Sequence, residues 1–239
     1  RGWWNFGTGA LGDMGCHLID IPFKALGLKY PTDVECSIGS IFTKMWSADY
    51  YPEGCPPSSS VSMHFDATEK NNSPIQMTWS DGGIKPFHPD LLPAEVSIVD
   101  NGVIMIGDKG VIVCDAYGND PKLYRKGEPV VEGEKIKISE PEFGHQRQWV
   151  DACKAGFNSS EHKSLTSSFD YSGPLTETVL MGNIAIRSYM LQETSTTRRR
   201  GNYIGRKKLL WDGNNMRITN LEQANQFVGR TYRKGWELS

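Results

Sequence analysis

Three ionisable residues near the start of the chain have spacings that could support acid–base chemistry. Asp13, His17 and Asp20 are separated by four and three residues, which would place all three on one face of a helix, one turn apart. A carboxylate beside an imidazole fixes the histidine tautomer and stabilises its protonated form, as a general acid or base requires. The alternative is that Asp13 caps the helix, His17 is a core histidine and Asp20 is a solvated charge.

A glycine pattern in the same segment points to different chemistry. Gly7-x-Gly9-x-x-Gly12 matches the dinucleotide fingerprint, and Asp33 follows about twenty residues later. A functional fingerprint follows a buried parallel strand that delivers the pyrophosphate to a helix N-terminus. The residues before Gly7 include paired tryptophans with Arg and Asn, and they do not have the Val/Ile pattern of such a strand. We therefore expect no dinucleotide site here.

The elements that must position these residues follow from periodicity and from Gly and Pro. Helical spacing predicts helices over residues 13–28, 142–155, 174–191 and 221–228, the first with a kink or break at Pro22 and an end at Gly27 and Pro31. Alternation predicts strands over residues 33–44, 61–67, 75–79, 104–106, 111–115 and 122–125. This order predicts an α+β fold: an open-faced, mainly antiparallel sheet with helices packed on one face.

Composition limits the classes of function. The chain has 239 residues and a net charge of -2, which favours one large globular domain with no general attraction to nucleic acid or anionic membrane. No apolar run approaches the length of a bilayer span. The five scattered cysteines are expected to be free thiols, mostly buried, and no spacing indicates a metal site. The basic residues of segments 198–200 and 206–208 are interpreted as a solvated loop or an oligomer contact rather than a nucleic-acid site.

One family resemblance links these observations. The run GALGDMGCHLID, residues 9–20, resembles the motif Gly-x-Leu-x-Asp-x-Gly-x-His-x-x-Asp that opens the second domain of the glucose-fructose oxidoreductase/inositol dehydrogenase (Gfo/Idh/MocA) family. Further segments resemble a branch of that family common in Bacteroidetes-type bacteria, and they lie at residues 79–83, 169–177, 182–185, 210–212 and 232–236. The resemblance thus runs the length of the chain.

The resemblance implies an activity and a division of labour. Residues 1–239 would be the substrate-binding, catalytic and oligomerisation C-terminal domain, and NAD or NADP would be bound mainly by an N-terminal Rossmann domain that is absent from this chain. The family's Glu-Lys-Pro motif is also missing, because no Glu-Lys pair in the chain is followed by proline; Glu69-Lys70, for example, is followed by Asn71. A hydride would pass between a sugar or polyol carbon and the nicotinamide, with His17 as acid/base and Asp13 orienting it. The fragment alone is then expected to be inactive, the open sheet face to form a homo-oligomer, and the location to be bacterial cytoplasm or periplasm.

A polyhydroxylated substrate needs flat apolar surface for its C–H faces and fixed polar groups for its hydroxyls. The candidates for such contacts are Asp20, Trp4, Trp79, Asp81, Lys85 and His88. The alternative for each tryptophan is core packing. Two other functions stay open: an NAD-dependent glycoside hydrolase of the same family, and a non-catalytic sugar-binding or oligomerisation module.

Overall fold

The protein is described by a computed structural model that covers residues 1–46, 48–49, 51–134, 144–193 and 202–237. Its helices are α1 Gly9–Leu18, α2 Asp20–Leu26, α3 Gly144–Ala155, α4 Ser160–Ser164, α5 Phe169–Ser188 and a 3₁₀ helix at Glu222–Phe227. Its strands are β1 Asp33–Ile38, β2 Ser59–Phe65, β3 Ile75–Ser80, β4 Gly102–Ile106, β5 Val111–Asp115, β6 Lys122–Tyr124, β7 Val131–Glu132, β8 Gln192–Glu193, β9 Asn202–Tyr203, β10 Leu209–Asp212 and β11 Arg217–Ile218. The predicted α+β fold with mainly antiparallel strands is confirmed.

Within the described residues the strands form three sheets, whereas the sequence predicts one. The largest has the order β11-β10-β1-β2-β3, the second the order β4-β5-β6-β7, and β8 pairs with β9. The irregular segment between β3 and β4, which is rich in proline, separates the first two sheets. The second sheet accordingly has its own small core of Leu92, Val111, Val113 and Tyr124.

The central strand β2 shows how the helices cover one face of the large sheet. Ser59, Val61, Met63 and Phe65 are buried, while the alternating residues between them are partly exposed. Because paired residues on neighbouring strands point to the same side, the outer face carries short polar rows such as Ser37, Ser60 and Ser80. The inner face joins α1, α2 and α5 in the main hydrophobic core.

Helix α5 approaches α1 and the sheet closely. A Cβ atom added at Gly182 would lie 2.3 Å from Leu11 Cδ2 and 3.1 Å from Met63 Cε. Leu11 and Met63 are themselves almost fully buried. A glycine at this point therefore lets the two helices and β2 pack without a gap.

The first predicted helix is divided in two. It starts at Gly9, α1 ends at Leu18, and α2 continues from Asp20 after Ile19. Pro22 has no N–H for the carbonyl of Leu18, and its ring crowds that carbonyl, so the predicted break falls one turn before the proline. The predicted end at Gly27 is confirmed, since this residue has the left-handed conformation (φ 65°) of a helix C-cap.

Helix α5 starts at Phe169, and the prediction that it begins at Pro174 is wrong. The carbonyl of Ser168 accepts from the N–H groups of Tyr171 and Ser172, which closes a first turn ahead of the proline. Pro174 is then an interior residue whose missing N–H leaves the carbonyl of Asp170 without its helical partner. Burial of much of the rest of the helix in the core holds this imperfect turn in place.

Strand β1 ends at Ile38, six residues earlier than predicted. Its last pair is Ile38 with Ser59, at the start of β2. Pro56 and Pro57 precede β2 and lack the N–H groups that would continue the ladder. The segment 39–44 therefore leaves the sheet.

Some predictions fall on residues that the structure does not describe. Residues 142–143 of one predicted helix and the arginines at 198–200 lie outside the described part of the chain. Of the basic residues nearby, Arg206 stacks over the rings of Tyr189 and Tyr203, and Lys208 lies 3.5 Å from the Asp33 carboxylate. Within the described ranges, no helix is long and apolar enough to cross a membrane.

Candidate functional site

Helix α1 presents Asp13 and His17 on its outer surface. Leu11 and Gly15 are buried on the inner face, where a Cβ at Gly15 would lie only 3.3 Å from Val179 of α5. The four-residue spacing puts Asp13 and His17 on the opposite side, and both are exposed. The core thus holds the helix rigidly while the two ionisable groups stay accessible.

Each of these two side chains has its own neighbour. The Asp13 carboxylate accepts a hydrogen bond from the Arg1 guanidinium in an exposed ion pair. The His17 ring meets the edge of Tyr117, with ring centroids 5.8 Å apart and an interplanar angle of 72°. The residues Arg1 and Tyr117 were missed by the sequence reasoning, because neither belongs to the helical motif.

Asp20 connects two helices. The Tyr171 hydroxyl of α5 donates to its carboxylate. Burial, and then the neighbouring Asp20 carboxylate, raises the pKa of the Tyr171 hydroxyl above its usual range. The described contact of Asp20 is therefore one that docks α2 on α5, and its role toward substrate stays a prediction.

A cavity of about 180 Å³ lies at the N-terminal end of α1. It lies between the first turn of α1, helix α5 and the segments that flank β2 and β3. Its lining residues are Arg1, Trp4, Thr8, Gly9, Ala10, Leu11, Cys55, Pro56, Pro57, Ser59, Asp81, Gly82, Asn183 and Ile186. The structure thus brings together two of the predicted substrate-binding residues, Trp4 and Asp81.

Asp81 is held by three donors. Its oxygens accept from the Ser59 N–H, the Ser59 hydroxyl and the Trp79 indole N–H, each at 2.7 Å. Trp79 is 8% exposed and lies outside the cavity lining. Trp79 therefore acts on the cavity by fixing Asp81 rather than by facing its interior.

Asn183 lies on the opposite wall, within a buried stretch of α5, and is 5% exposed. Neither its Nδ2 nor its Oδ1 has a hydrogen-bond partner among the described residues. A buried polar group without a partner costs about 1–3 kcal/mol, so an amide in this position needs an explanation. The signal in the sequence is a polar residue inside an apolar helical run, to which local pattern alone assigns no role.

The Arg187 guanidinium packs against the Trp4 ring. The Arg187 guanidinium lies 5.5 Å from the Trp4 ring centroid and 4.4 Å from that of Phe227. Burial lowers the pKa of this guanidinium. The stack fixes the plane of the indole at the cavity wall.

Lys85 and His88 lie outside this cavity lining. Lys85 pairs with Asp100, whose pKa is lowered by that hydrogen bond and charge. The His88 ring nitrogens lie 2.9 Å from the Val96 carbonyl and 3.2 Å from the Pro89 carbonyl. Both residues order the loop after β3, and their substrate contacts stay predictions.

The glycine pattern does not form a dinucleotide site among the described residues. The N–H groups of Phe6 and Gly7 both bond to the Trp3 carbonyl, so a turn precedes α1 in place of a strand. Every strand pair in the described ranges is antiparallel, and a parallel βαβ unit is what the fingerprint requires. Nor do the described residues contain a group of three or more His, Cys, Asp or Glu side chains placed to hold a metal ion.

The cysteines are free thiols, as predicted, but the expectation that most are buried is wrong. Cys114 is buried, Cys36 and Cys55 are partly buried, and Cys16 and Cys153 are exposed. The exposed pair lies on the solvent sides of α1 and α3. Helical position rather than residue type decided their burial.

Comparison with known proteins does not identify a family or a function for this site. No protein-family model matches the chain, and no curated protein is significantly similar to it. The relationship to the Gfo/Idh/MocA family therefore stays a prediction that rests on the motifs.

Proposed function

We propose that this chain is the substrate-binding and catalytic half of an NAD(P)-dependent oxidoreductase that acts on a sugar or polyol hydroxyl. The observation that supports this most is the exposure of Asp13 and His17 side by side on α1, a helix whose opposite face is locked in the core. A group that must meet a substrate has to be both accessible and rigidly held.

In this proposal, His17 takes the proton of the reacting hydroxyl in one direction and returns it in the other. Asp13 lies one turn away on the same face of α1, and its role in this proposal is to orient His17. The nicotinamide group, held by a domain outside the described residues, would supply hydride exchange with the substrate carbon. The contribution of this chain is to bind and orient the substrate and to move one proton at its oxygen.

The first test is the intact mass of the native protein, compared with 26.7 kDa for this chain. We expect a mass larger by about 15–20 kDa, a domain's worth of chain. A native mass equal to that of this chain would favour the binding-module alternative.

The second test is His17→Ala in the native protein, assayed for sugar-dependent reduction of the nicotinamide. Loss of a general base lowers kcat/KM about 10²- to 10⁴-fold, while an exposed position changes the free energy of unfolding by no more than about 0.5 kcal/mol. The matched control is His145→Ala, which removes an exposed histidine from α3. Full turnover in His17→Ala would refute the proposed role.

Product analysis separates the two enzymatic alternatives. Net reduction of the nicotinamide supports the dehydrogenase, whereas release of an aglycone without net reduction supports the glycoside hydrolase. Sugar binding without turnover in the native protein would leave the non-catalytic module.

A further inference from the structure

Two arginines lie where the C-terminal end of α5 packs on the 3₁₀ helix. Arg187 is in the last turn of α5 and is partly buried, and Arg230 follows the 3₁₀ helix and is exposed. Among the described residues, neither guanidinium is paired with a carboxylate or donates a hydrogen bond. We propose that Arg187 and Arg230 form a binding site for a phosphate group, held apart from the substrate at His17.

The surroundings of Arg187 leave its charge without an anion. The guanidinium carbon lies 4.4 Å from the ring centroid of Phe227 and 5.5 Å from that of Trp4. An aromatic ring stabilises a cation through its face, but it offers no oxygen to the five N–H groups in the guanidinium plane. Buried charges in proteins are paired, because removing them from water is costly. The N–H edge of Arg187 is therefore the part of this cluster that calls for an acceptor.

Arg230 adds a second positive charge to the first. Burial has the largest effect in lowering the pKa of Arg187, and the charge of Arg230 lowers it further, so the two guanidinium groups are close enough to repel each other. No carboxylate contributes to that shift among the described residues. Because a guanidinium stays protonated in proteins, an anion bound between the two groups is the direct way to relieve their repulsion.

Charge favours a phosphate group over a carboxylate. The two guanidinium groups carry one positive charge each, and their planar forks match phosphate oxygens with paired hydrogen bonds. A phosphate monoester has a charge of about -1.5 to -2 at pH 7 and three acceptor oxygens. A carboxylate has a single negative charge and two oxygens. It would therefore neutralise only half of the charge at this site.

The arginine pair lies at a different end of the helix pair from the proposed chemistry. Gly15 of α1 lies against Val179 of α5, whereas Trp4, ahead of α1, lies against Arg187. Arg187 follows Val179 by eight residues, about 12 Å along the helix axis. His17 lies beyond Gly15 in the opposite direction, and neither arginine lines the cavity at the N-terminal end of α1. The proposal is thus independent of the proposed reaction.

The test is calorimetric titration of the native protein with inorganic phosphate, glucose 6-phosphate and acetate at constant ionic strength. We expect at least one of the two phosphate compounds to bind at one site per chain, at least tenfold more tightly than acetate. Tighter binding of inorganic phosphate would identify the free anion as the ligand, and tighter binding of glucose 6-phosphate would identify a phosphorylated small molecule.

Variants assign the binding to the arginine pair. Arg187→Gln and Arg230→Gln should each weaken it at least tenfold. The matched control is Arg217→Gln, which removes an exposed arginine that is already paired with Glu222, and it should bind as the parent protein does. His17→Ala should also bind normally, so failure of this site and failure of the proposed reaction can be told apart.

If Arg187→Gln does not fold, the parent protein still gives a direct measurement. The Nε–H resonance of Arg187 should shift as the phosphate compound is added, and Arg230→Gln, which changes an exposed residue, should reduce that shift. The proposal is overturned if neither phosphate compound binds, or if acetate binds as tightly. It is also overturned if Arg217→Gln weakens binding as much as Arg230→Gln does.

Discussion

The two ends of helix α1 differ in how they treat polar groups. At its N-terminal end, the Asp81 carboxylate and the Asn183 amide line a cavity, where the fold largely buries them. From its middle to its C-terminal end, Asp13 and His17 face outward, and their described side-chain neighbours, Arg1 and Tyr117, are exposed as well. One helix thus has a closed end, where polar groups are held by the fold, and an open end, where they are offered to another molecule. Changes at the closed end should alter stability or ligand binding, and changes at the open end should alter reactivity.

The largest expected contrast is between an exposed thiol, Cys16, and a partly buried thiol that packs against the core, Cys36. Burial, and then the adjacent Glu35, raises the pKa of Cys36 to about 12, whereas Cys16 is exposed on α1. At neutral pH this lowers the thiolate fraction of Cys36 about 1,000-fold relative to an ordinary thiol. Iodoacetamide should therefore label Cys16 while Cys36 stays unmodified until the protein unfolds, as read by peptide mass spectrometry.

The raised pKa of Cys36 also predicts how the stability of the protein depends on pH. The native state binds the Cys36 proton more tightly than the unfolded state does, so this contribution to stability is complete below pH 9 and is lost between pH 9 and about 12. In Cys36→Ala, the free energy of unfolding should therefore depend less on pH above pH 9. Equal labelling of Cys16 and Cys36 in the folded protein would contradict the contrast.

Gly82, which lines the cavity, should tolerate an added side chain less well than its neighbour Gly83. Gly82 has φ 66°, and a Cβ there would lie 2.2 Å from the Pro57 carbonyl oxygen, whereas Gly83 has φ 89° and nothing within 4 Å of its Cβ position. Gly82→Ala should cost about 3 kcal/mol or more, because strain from the positive φ adds to a backbone collision. Gly83→Ala, the matched control, should cost about 1–2 kcal/mol from φ alone. Denaturant unfolding measures both, and equal costs would show that the Pro57 contact is not tight.

Removing the Asp81 carboxylate should lower the free energy of unfolding by about 2 kcal/mol. Asp81→Ala leaves the N–H of Ser59, a residue only 1% exposed, and the Trp79 indole without their acceptor. Asp81→Asn keeps one acceptor oxygen and should lose about half as much. A thermal or urea unfolding series checks the order, and an Asp81→Ala protein as stable as the parent would contradict it.

The smallest expected effect concerns the contact that docks α2. Tyr171→Phe removes the hydroxyl that donates to the Asp20 carboxylate. We expect a loss of about 1 kcal/mol, near the typical value for a hydrogen bond, because solvent can replace part of the interaction at this partly buried carboxylate. The control is Tyr117→Phe, which keeps the ring beside His17 and should leave the free energy of unfolding unchanged. Equal losses in both variants would show that the hydrogen bond between Tyr171 and Asp20 adds no measurable stability.

Local periodicity made much of this architecture predictable. Alternation predicted β2 and β3, and glycine at the C-cap predicted the end of α2. The four-residue spacing placed Asp13 and His17 on one helix face, because that geometry depends only on residues within the helix. The boundaries with the largest errors were those of β1 and α5. Both depend on partners distant in sequence, namely the start of β2 and the core contacts that support the turn at Pro174.

The sequence by itself determined the α+β class, the outward face of α1 and the residue types available for chemistry, since these follow from short-range pattern. Only the tertiary structure decided which groups meet. Arg1 reaches Asp13 across twelve positions, and Tyr171 reaches Asp20 across 151. The cavity likewise exists only because α5 brings Asn183 against the first turn of α1. Contacts between residues so far apart in the chain are set by the packing of whole helices and sheets, and no local pattern encodes them.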